Sequence, residues 1–374
     1  MRKDILIWFL SVAALFLISG LVWYHYYRTP GAPVLLYSVG KTPAVVLADQ
    51  NQEYALAKNY QKSGDYTSAL QSYQKALTGT QDESQKAQIL FNIAYTIELL
   101  GNYKDAIAQF KAIAADTSYY AIARAASVQD IGLMYYTYSG SATLQTIASE
   151  TFKDSPYNSF TEGNSLNVAY IKLFEYAASI YPLANSEVRI AYGYANELLD
   201  TLKSATTTPQ GKEYVSIIIQ SLQATDRDLM RMKNVPEERA LIPEILVREG
   251  KTFDRLATLG VVGSQQAEPY FKRGVEYAAS LGTKPGSFHA LNYALFLADR
   301  YGSARSADIK NLLTPFRVGN DAAIYSIVTA FYKNIRSASS SDKNRKLIII
   351  LGQMDPDFKT YLISLGWKQT DFVK

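Results

Sequence analysis

The chain contains no cysteine and only two histidines. The first absence removes disulfides, thiol nucleophiles and thiolate metal sites together, and it is compatible with an oxidising compartment. The second leaves little for metal or general-base chemistry. His25 adjoins an apolar run, and His289 lies in "GSFHALNYALFLADR" near a helix start, so a Ser-His-Asp triad or a metal site would rest on His289 alone among soluble histidines. HExxH, GxSxG and the Gly-rich dinucleotide fingerprint are all missing. Charge of one sign is lacking as well: the net charge is +4, with lysine and arginine spread along the chain. No basic block tracks a phosphate backbone, so no nucleic-acid partner is expected. Asn-x-Ser/Thr acceptors are absent, which leans against a eukaryotic secreted setting. No catalytic residue, cofactor or metal is expected.

What is present is length, apolar content and tyrosine. At 374 residues the chain exceeds one ordinary core, so a helical array or two domains is the natural expectation. Hydrophobic content of 48% and charge of 19% place it among folded globular chains. The 29 tyrosines suit close helix packing and amphipathic binding surfaces equally. No stretch after Asp49 alternates with period two for long, which points to an all-α fold.

The first fifty residues carry an address. "ILIWFLSVAALFLISGLVWY", Ile5 to Tyr24, is twenty residues without a charge, enough to cross a core of about 30 Å at about 1.5 Å per residue. Trp8 stands near one end, and Trp23, Tyr24, Tyr26 and Tyr27 crowd the other, as interfacial aromatics do. A cleaved signal would have a shorter apolar stretch followed by small residues, and an all-round apolar helix behind "MRKD" does not suit a buried core. Residues 5–24 are therefore expected to be an uncleaved anchor. Arg2 and Lys3 set residues 1–4 as a cytoplasmic tail and the rest outside the cytoplasm. Pro30, Gly31, Pro33, Gly40 and Pro43 make residues 25–48 an extended linker. Gly40-Lys41-Thr42 within it resembles the end of a phosphate-binding loop, but Leu35 stands where that loop needs glycine and Pro43 blocks the following helix.

Two stretches match each other. "YALAKNYQKSGDYTSALQSYQKAL" and "LFNIAYTIELLGNYKDAIAQFKAI" place Gly64 and Gly101 37 residues apart. Each glycine sits where a helix must stop, as a C′ residue in the left-handed region does. Ala57 with Ala69, and Ala94 with Ala106, are small residues on either side of a turn, which lets antiparallel helices approach. Ala69, Leu70, Tyr73, Ala76 and Leu77 recur at three- and four-residue steps and form one apolar stripe. A single hairpin cannot bury such a stripe, so neighbours must stack. These units resemble the tetratricopeptide repeat, a 34-residue helix–turn–helix. Leu56, Ala57, Tyr60, Gly64, Tyr66, Ala69, Tyr73 and Ala76 stand on the family's signature positions in the first, and Ile93, Ala94, Gly101, Tyr103, Ala106 and Phe110 in the second. Ile97 and Ile113 depart from it, and the polar connection "TGTQDESQ" accounts for the longer period.

Further helices follow without the signature. "YYAIARAASVQDIGLMYYTYS" is predicted to be a helix ending at Gly140. "NSLNVAYIKLFEYAASIY" and "NSEVRIAYGYANELLDTLK" form a predicted pair around Pro182, the second capped by Asn185 or Ser186. "SATTTPQG", 204–211, is the best internal break, dividing residues 49–203 from a second helical region at 212–374. In that region "AEPYFKRGVEYAASLG" and "SFHALNYALFLADRYG" form a pair, "SASSSDKNRK" is a polar turn, and Asp355 with Pro356 opens a final helix. The expected architecture is a right-handed superhelix of helix–turn–helix repeats behind one transmembrane helix.

The resemblance implies that the first helix of each hairpin lines a concave groove for a protein or peptide partner. That assigns Tyr54, Lys58 and Gln61 of the first unit, and Phe91, Tyr95 and Glu98 of the second. Tyr54 and Lys58 do not match the lysine and asparagine of carboxylate-clamp members, and Phe91 and Tyr95 have packing between hairpins as their plain alternative. The leading expectation is a membrane-anchored, non-catalytic adaptor in a prokaryotic cell envelope. One rival is a peptidoglycan-active enzyme: Glu83-Ser84 and Gly132-Leu133-Met134 resemble fragments of the helical lytic transglycosylases, but 49 residues separate them and Tyr135 replaces a glutamine. Another is a glycan- or lipid-binding receptor using the tyrosine-rich C-terminal half.

Overall fold

Side-chain caps and left-handed glycines punctuate the chain into helices. The computed structural model describes residues 51–137, 142–201, 207–233, 239–281, 287–316, 339 and 342–373. All regular structure among them is helical. None of the described helices is long and apolar enough to cross a membrane; the expected tail, anchor and linker, 1–48, lie outside the described residues. Two compact units divide between Val262 and Gly263.

In residues 51–262, helix α1 (Gln52–Ser63) begins on Asn51, whose side chain accepts from the N–H groups of Glu53 and Tyr54 at 3.1 and 3.2 Å. It ends at Gly64 with φ of 84°, a backbone conformation that side-chain-bearing residues avoid. Asp65 then caps α2 (Tyr66–Thr78) by accepting from Ser68 N–H at 3.1 Å. The next hairpin repeats the plan. Asp82 caps α3 (Glu83–Leu99), Gly101 takes φ of 82°, and α4 (Tyr103–Ala115) follows. The turns are congruent: Gly64 and Gly101 donate to Gln61 and Glu98 carbonyls, and Asp65 and Asn102 donate to those of Tyr60 and Ile97, the Schellman pattern.

The repeat extends into the core. Tyr54 and Tyr73 pair with ring centroids 5.6 Å apart and planes at 59°. Phe91 and Phe110, each 37 positions later, pair at 5.4 Å and the same 59°. Ala57, Ala69, Ala94 and Ala106 are fully buried, so the small residues lie at the helix contacts their spacing predicted. Residues 91–98 of α3 are all buried, and α3 packs on α2 as well as on α4. Ala69→Trp and Ala106→Trp, made singly, are each expected to lower stability by about 1–3 kcal/mol or more through overpacking. Denaturant melts check this, and unchanged midpoints for both would remove the alanines from the contact.

Helix α5 (Ala121–Thr137), the shorter α6 (Ala142–Thr151), α7 (Leu166–Ile180), α8 (Ala184–Thr201), α9 (Pro209–Met232) and α10 (Ile242–Thr258) complete this unit. Gly140, the expected end of α5, lies outside the described residues. Pro182 does separate α7 from α8, but α8 starts earlier than Asn185 or Ser186. The cap comes from 44 residues away: the Ala184 N–H donates to the Asp228 carboxylate of α9 at 2.8 Å. Ser186 instead donates to Gln129 at 2.8 Å, and Asn185 accepts from Arg189. The break expected at 204–211 falls inside this unit, where Thr208 caps α9 and α9 packs along α8.

Residues 263–373 carry α11 (Glu268–Ser280), α12 (Ser287–Tyr301), α13 (Ser306–Leu313), α14 (Lys343–Met354) and α15 (Pro356–Ser364). Here the expected pair and the final cap are both found. Asp355 accepts from Phe358 N–H at 3.2 Å, with Pro356 at the first helical position. Glu268 gathers the hydroxyls of Tyr293 and Tyr301 at 3.0 and 2.8 Å and Arg305 at 2.9 Å, tying α11 to α12.

Candidate functional site

Five of the six residues assigned to the groove are buried: Tyr54, Gln61, Phe91, Tyr95 and Glu98. Lys58 is half-buried, its ammonium 5.6 Å from the Tyr54 ring centroid. Tyr54 and Gln61 meet the next hairpin, and Phe91 pairs with Phe110 inside its own. Successive turns of α3 place Gln88, Asn92 and Thr96 against α1. Gln88 and Asn92 donate to the Tyr54 hydroxyl oxygen at 2.8 and 3.0 Å, and Gln61 donates to Thr96 at 3.1 Å. All three members on α3 are fully buried. This polar ladder fixes the register of one hairpin on the next.

The two transglycosylase-like fragments stay apart in character. Glu83 is exposed at the start of α3 and pairs with Lys86 at 2.7 Å. Gly132, Leu133 and Met134 lie in the interior of α5, where Gly132 faces the Phe174 ring. His289 sits on α12 beside Phe288. Among the described residues no three His, Cys, Asp or Glu side chains are grouped to hold a metal.

A buried ionisable cluster lies elsewhere, where α8 meets α10. Glu244, Arg248, Lys251 and Arg255 occupy one stripe of α10, and Asn185, Arg189 and Tyr192 one stripe of α8, both at the three- and four-residue steps of a helix face. The Glu244 carboxylate accepts from Arg248 through Nε and Nη2 at 3.1 and 2.8 Å, and from Arg189 at 3.4 Å. Arg248 and Arg189 are 1% and 5% exposed, a depth at which guanidinium groups require partners. Arg189 also donates to Asn185 at 3.1 Å and lies 5.9 Å from the Phe174 ring.

One turn further, Lys251 and Arg255 flank Tyr192. The ammonium is 4.9 Å and the guanidinium 5.3 Å from the ring centroid, and Arg255 donates to the phenol oxygen at 3.4 Å. Ile171, Phe174 and Gly193 complete a small cleft with Arg189, Tyr192 and Arg248, with room for about one water. Gly193 keeps α7 close, since a Cβ there would stand 2.7 Å from Ile171 Cγ1. Burial alone would raise the Tyr192 phenol, but the charges of Lys251 and Arg255, and their hydrogen bonds, overcome it and bring the group down to about 7. Buried Tyr73, Tyr135 and Tyr157 all shift upward, through desolvation above all. Tyr192 thus reports a positive potential in this seam.

The stability consequence has a definite sign. The folded phenol of Tyr192 lies below its unfolded value near 10. Its ionic stabilisation is complete above the unfolded value and is lost as pH falls through about 7. The stability lost in Tyr192→Phe is therefore expected to be larger by about 1–3 kcal/mol at about pH 9 than at about pH 6. Denaturation of both proteins at the two pH values checks this, and a pH-independent difference would contradict it.

No family model matches the chain, and no curated protein or solved structure matches it either.

Proposed function

We propose that this chain is a non-catalytic helical-repeat scaffold of the tetratricopeptide type, held in a prokaryotic envelope membrane by residues 5–24 and binding a protein partner. The observation that carries the reading is the duplicated hairpin. Two units 37 residues apart share the left-handed glycine, the buried alanines and an aromatic pair at 59°. An array grown by stacking such units offers extended surface along its length, the usual use of repeat folds. The membrane part of the reading rests on the uncharged run Ile5 to Tyr24 behind Arg2 and Lys3. With five of the six groove residues packed inside, the partner surface is assigned to Lys58 and its exposed neighbours Asn59 and Lys62 on α1.

The absence of native cysteine makes the test clean. Lys58→Cys or Asn59→Cys, carrying a short photo-crosslinker in the full chain in membranes, is expected to yield one discrete protein adduct. Gln74→Cys on exposed α2 surface is expected to yield none. Equal labelling from both faces, or no adduct from either, would overturn the assignment. Cleavage of peptidoglycan by the purified chain, abolished in Glu83→Gln, would place the protein in the rival class.

A further inference from the structure

We propose that the socket formed by α14, α15 and Trp367 is a binding site for an acidic, aromatic-anchored segment of a partner protein, and that residues 368–373 of this chain fill it as an exchangeable stand-in. The inference is independent of the scaffold reading and goes beyond it.

The socket begins with a glycine inside a helix. Gly352 is buried within α14, although glycine is the poorest helix former after proline. A Cβ there would stand 2.5 Å from Cε1 of Phe372, so the ring takes the space that any other residue would fill. Phe372 also stacks on Trp367, with centroids 5.7 Å apart and planes at 28°. Two cations border the pair: the Arg345 guanidinium lies 5.5 Å from the Trp367 ring, and the Lys359 ammonium 5.5 Å from the Phe372 ring. Arg345 donates to the Asp371 carboxylate at 3.3 Å, and Gln353 to the Phe372 carbonyl at 2.9 Å. An aromatic side chain, the carboxylate before it and a backbone carbonyl are each held by a separate group, the division of labour of a peptide-recognition cleft.

Two features make the resident segment exchangeable. Phe372 is its one buried side chain, with Lys368, Gln369, Thr370 and Val373 exposed, and a segment held by so few apolar contacts opens locally at small cost. It also fits incompletely. The indole N–H of Trp367, a residue 3% exposed, has no acceptor among the described residues, and a buried donor left unpaired opposes the docked state. A partner segment that brings an acceptor to that N–H gains a bond the resident one does not make.

The probe is the peptide KQTDFVK, residues 368–374, titrated into the full chain in detergent. Trp8→Phe and Trp23→Phe leave Trp367 as the sole tryptophan, so its emission reports the socket. Phe372→Ala empties the socket, and this chain is expected to bind the peptide saturably, with the emission moving to the blue. The chain that keeps Phe372 is expected to bind about tenfold to a hundredfold more weakly, because its own segment competes at the effective concentration of about 1 mM that a short tether gives. Gly352→Ala favours the helix but fills the socket, and in the Phe372→Ala background it is expected to remove binding. Circular dichroism checks that each variant is folded; if Phe372→Ala unfolds, the chain ended at Lys368 takes its place. No saturable binding by the folded Phe372→Ala chain, or binding unaffected by Gly352→Ala, overturns the site. Binding by the Phe372→Ala chain with none by the chain that keeps Phe372 marks a permanent clasp and overturns the exchange. A dimer of the full chain that Phe372→Ala dissolves makes the occupant a second copy and overturns the partner assignment.

Discussion

Glu244→Ala is expected to lower the stability of residues 51–262 by about 3–5 kcal/mol. The carboxylate accepts three hydrogen bonds from two guanidinium groups that are 1% and 5% exposed. At that depth the desolvation of Arg189 and Arg248 is already spent in the folded state, and removing Glu244 leaves that penalty while deleting the three charge-assisted bonds that offset it. The same physics predicts that the cluster is replaceable as a whole. Glu244→Leu combined with Arg248→Met and Arg189→Met is expected to recover most of the loss, because apolar side chains of similar volume bring no charge to bury. Urea denaturation of the single and triple variants checks both statements. A loss below about 1 kcal/mol for Glu244→Ala would mark the pair as solvated rather than buried.

Tyr54→Ala is expected to be as damaging, at about 3–5 kcal/mol, the range for removing a large buried aromatic. The side chain is fully buried against Tyr73, and its hydroxyl receives Gln88 and Asn92 from the next hairpin. Tyr54→Phe separates the two contributions. The ring pair survives, as it does between Phe91 and Phe110 one repeat later, but two buried amide donors lose a common acceptor, at about 1–3 kcal/mol. Thermal melts of both variants check the ordering. Equal losses would assign the whole effect to the hydroxyl, and a neutral Tyr54→Phe would assign it to the ring.

The parts of this fold legible in the sequence are those decided locally. Gly64 and Gly101 end helices because only glycine takes the left-handed turn readily, and Asp355 before Pro356 starts one because cap and fixed φ act within a single turn. The alanines at 57, 69, 94 and 106 were legible because a close helix contact demands small side chains wherever it falls. Assigning Phe91 and Tyr95 to a groove treated α3 as a helix with an outer face, and Tyr54 lies on the inner face of α1. Residues 91–98 are buried on every side, and a helix enclosed all round presents no stripe from which an open side can be read. The start of α8 was misplaced because its cap, Asp228, comes from another helix. Read from α10 alone the α8–α10 seam is silent: "IPEILVREGKTFDRLAT" has the charge of a solvated helix, and its Glu244 meets Arg189, 55 residues earlier, only through the fold. A basic stripe at 248, 251 and 255 facing a tyrosine is the signal that, once two helices are aligned, finds it.

The central claim, that the duplicated hairpins act as a binding array, is tested most directly by titrating the full chain in detergent with the purified protein recovered from the Lys58 adduct. Saturable association is predicted, with a Kd of about 1 μM or tighter, weakened by Lys58→Glu with Lys62→Glu while helicity stays unchanged. An association that does not saturate, or one of equal strength in the folded charge-reversed variant, would contradict it.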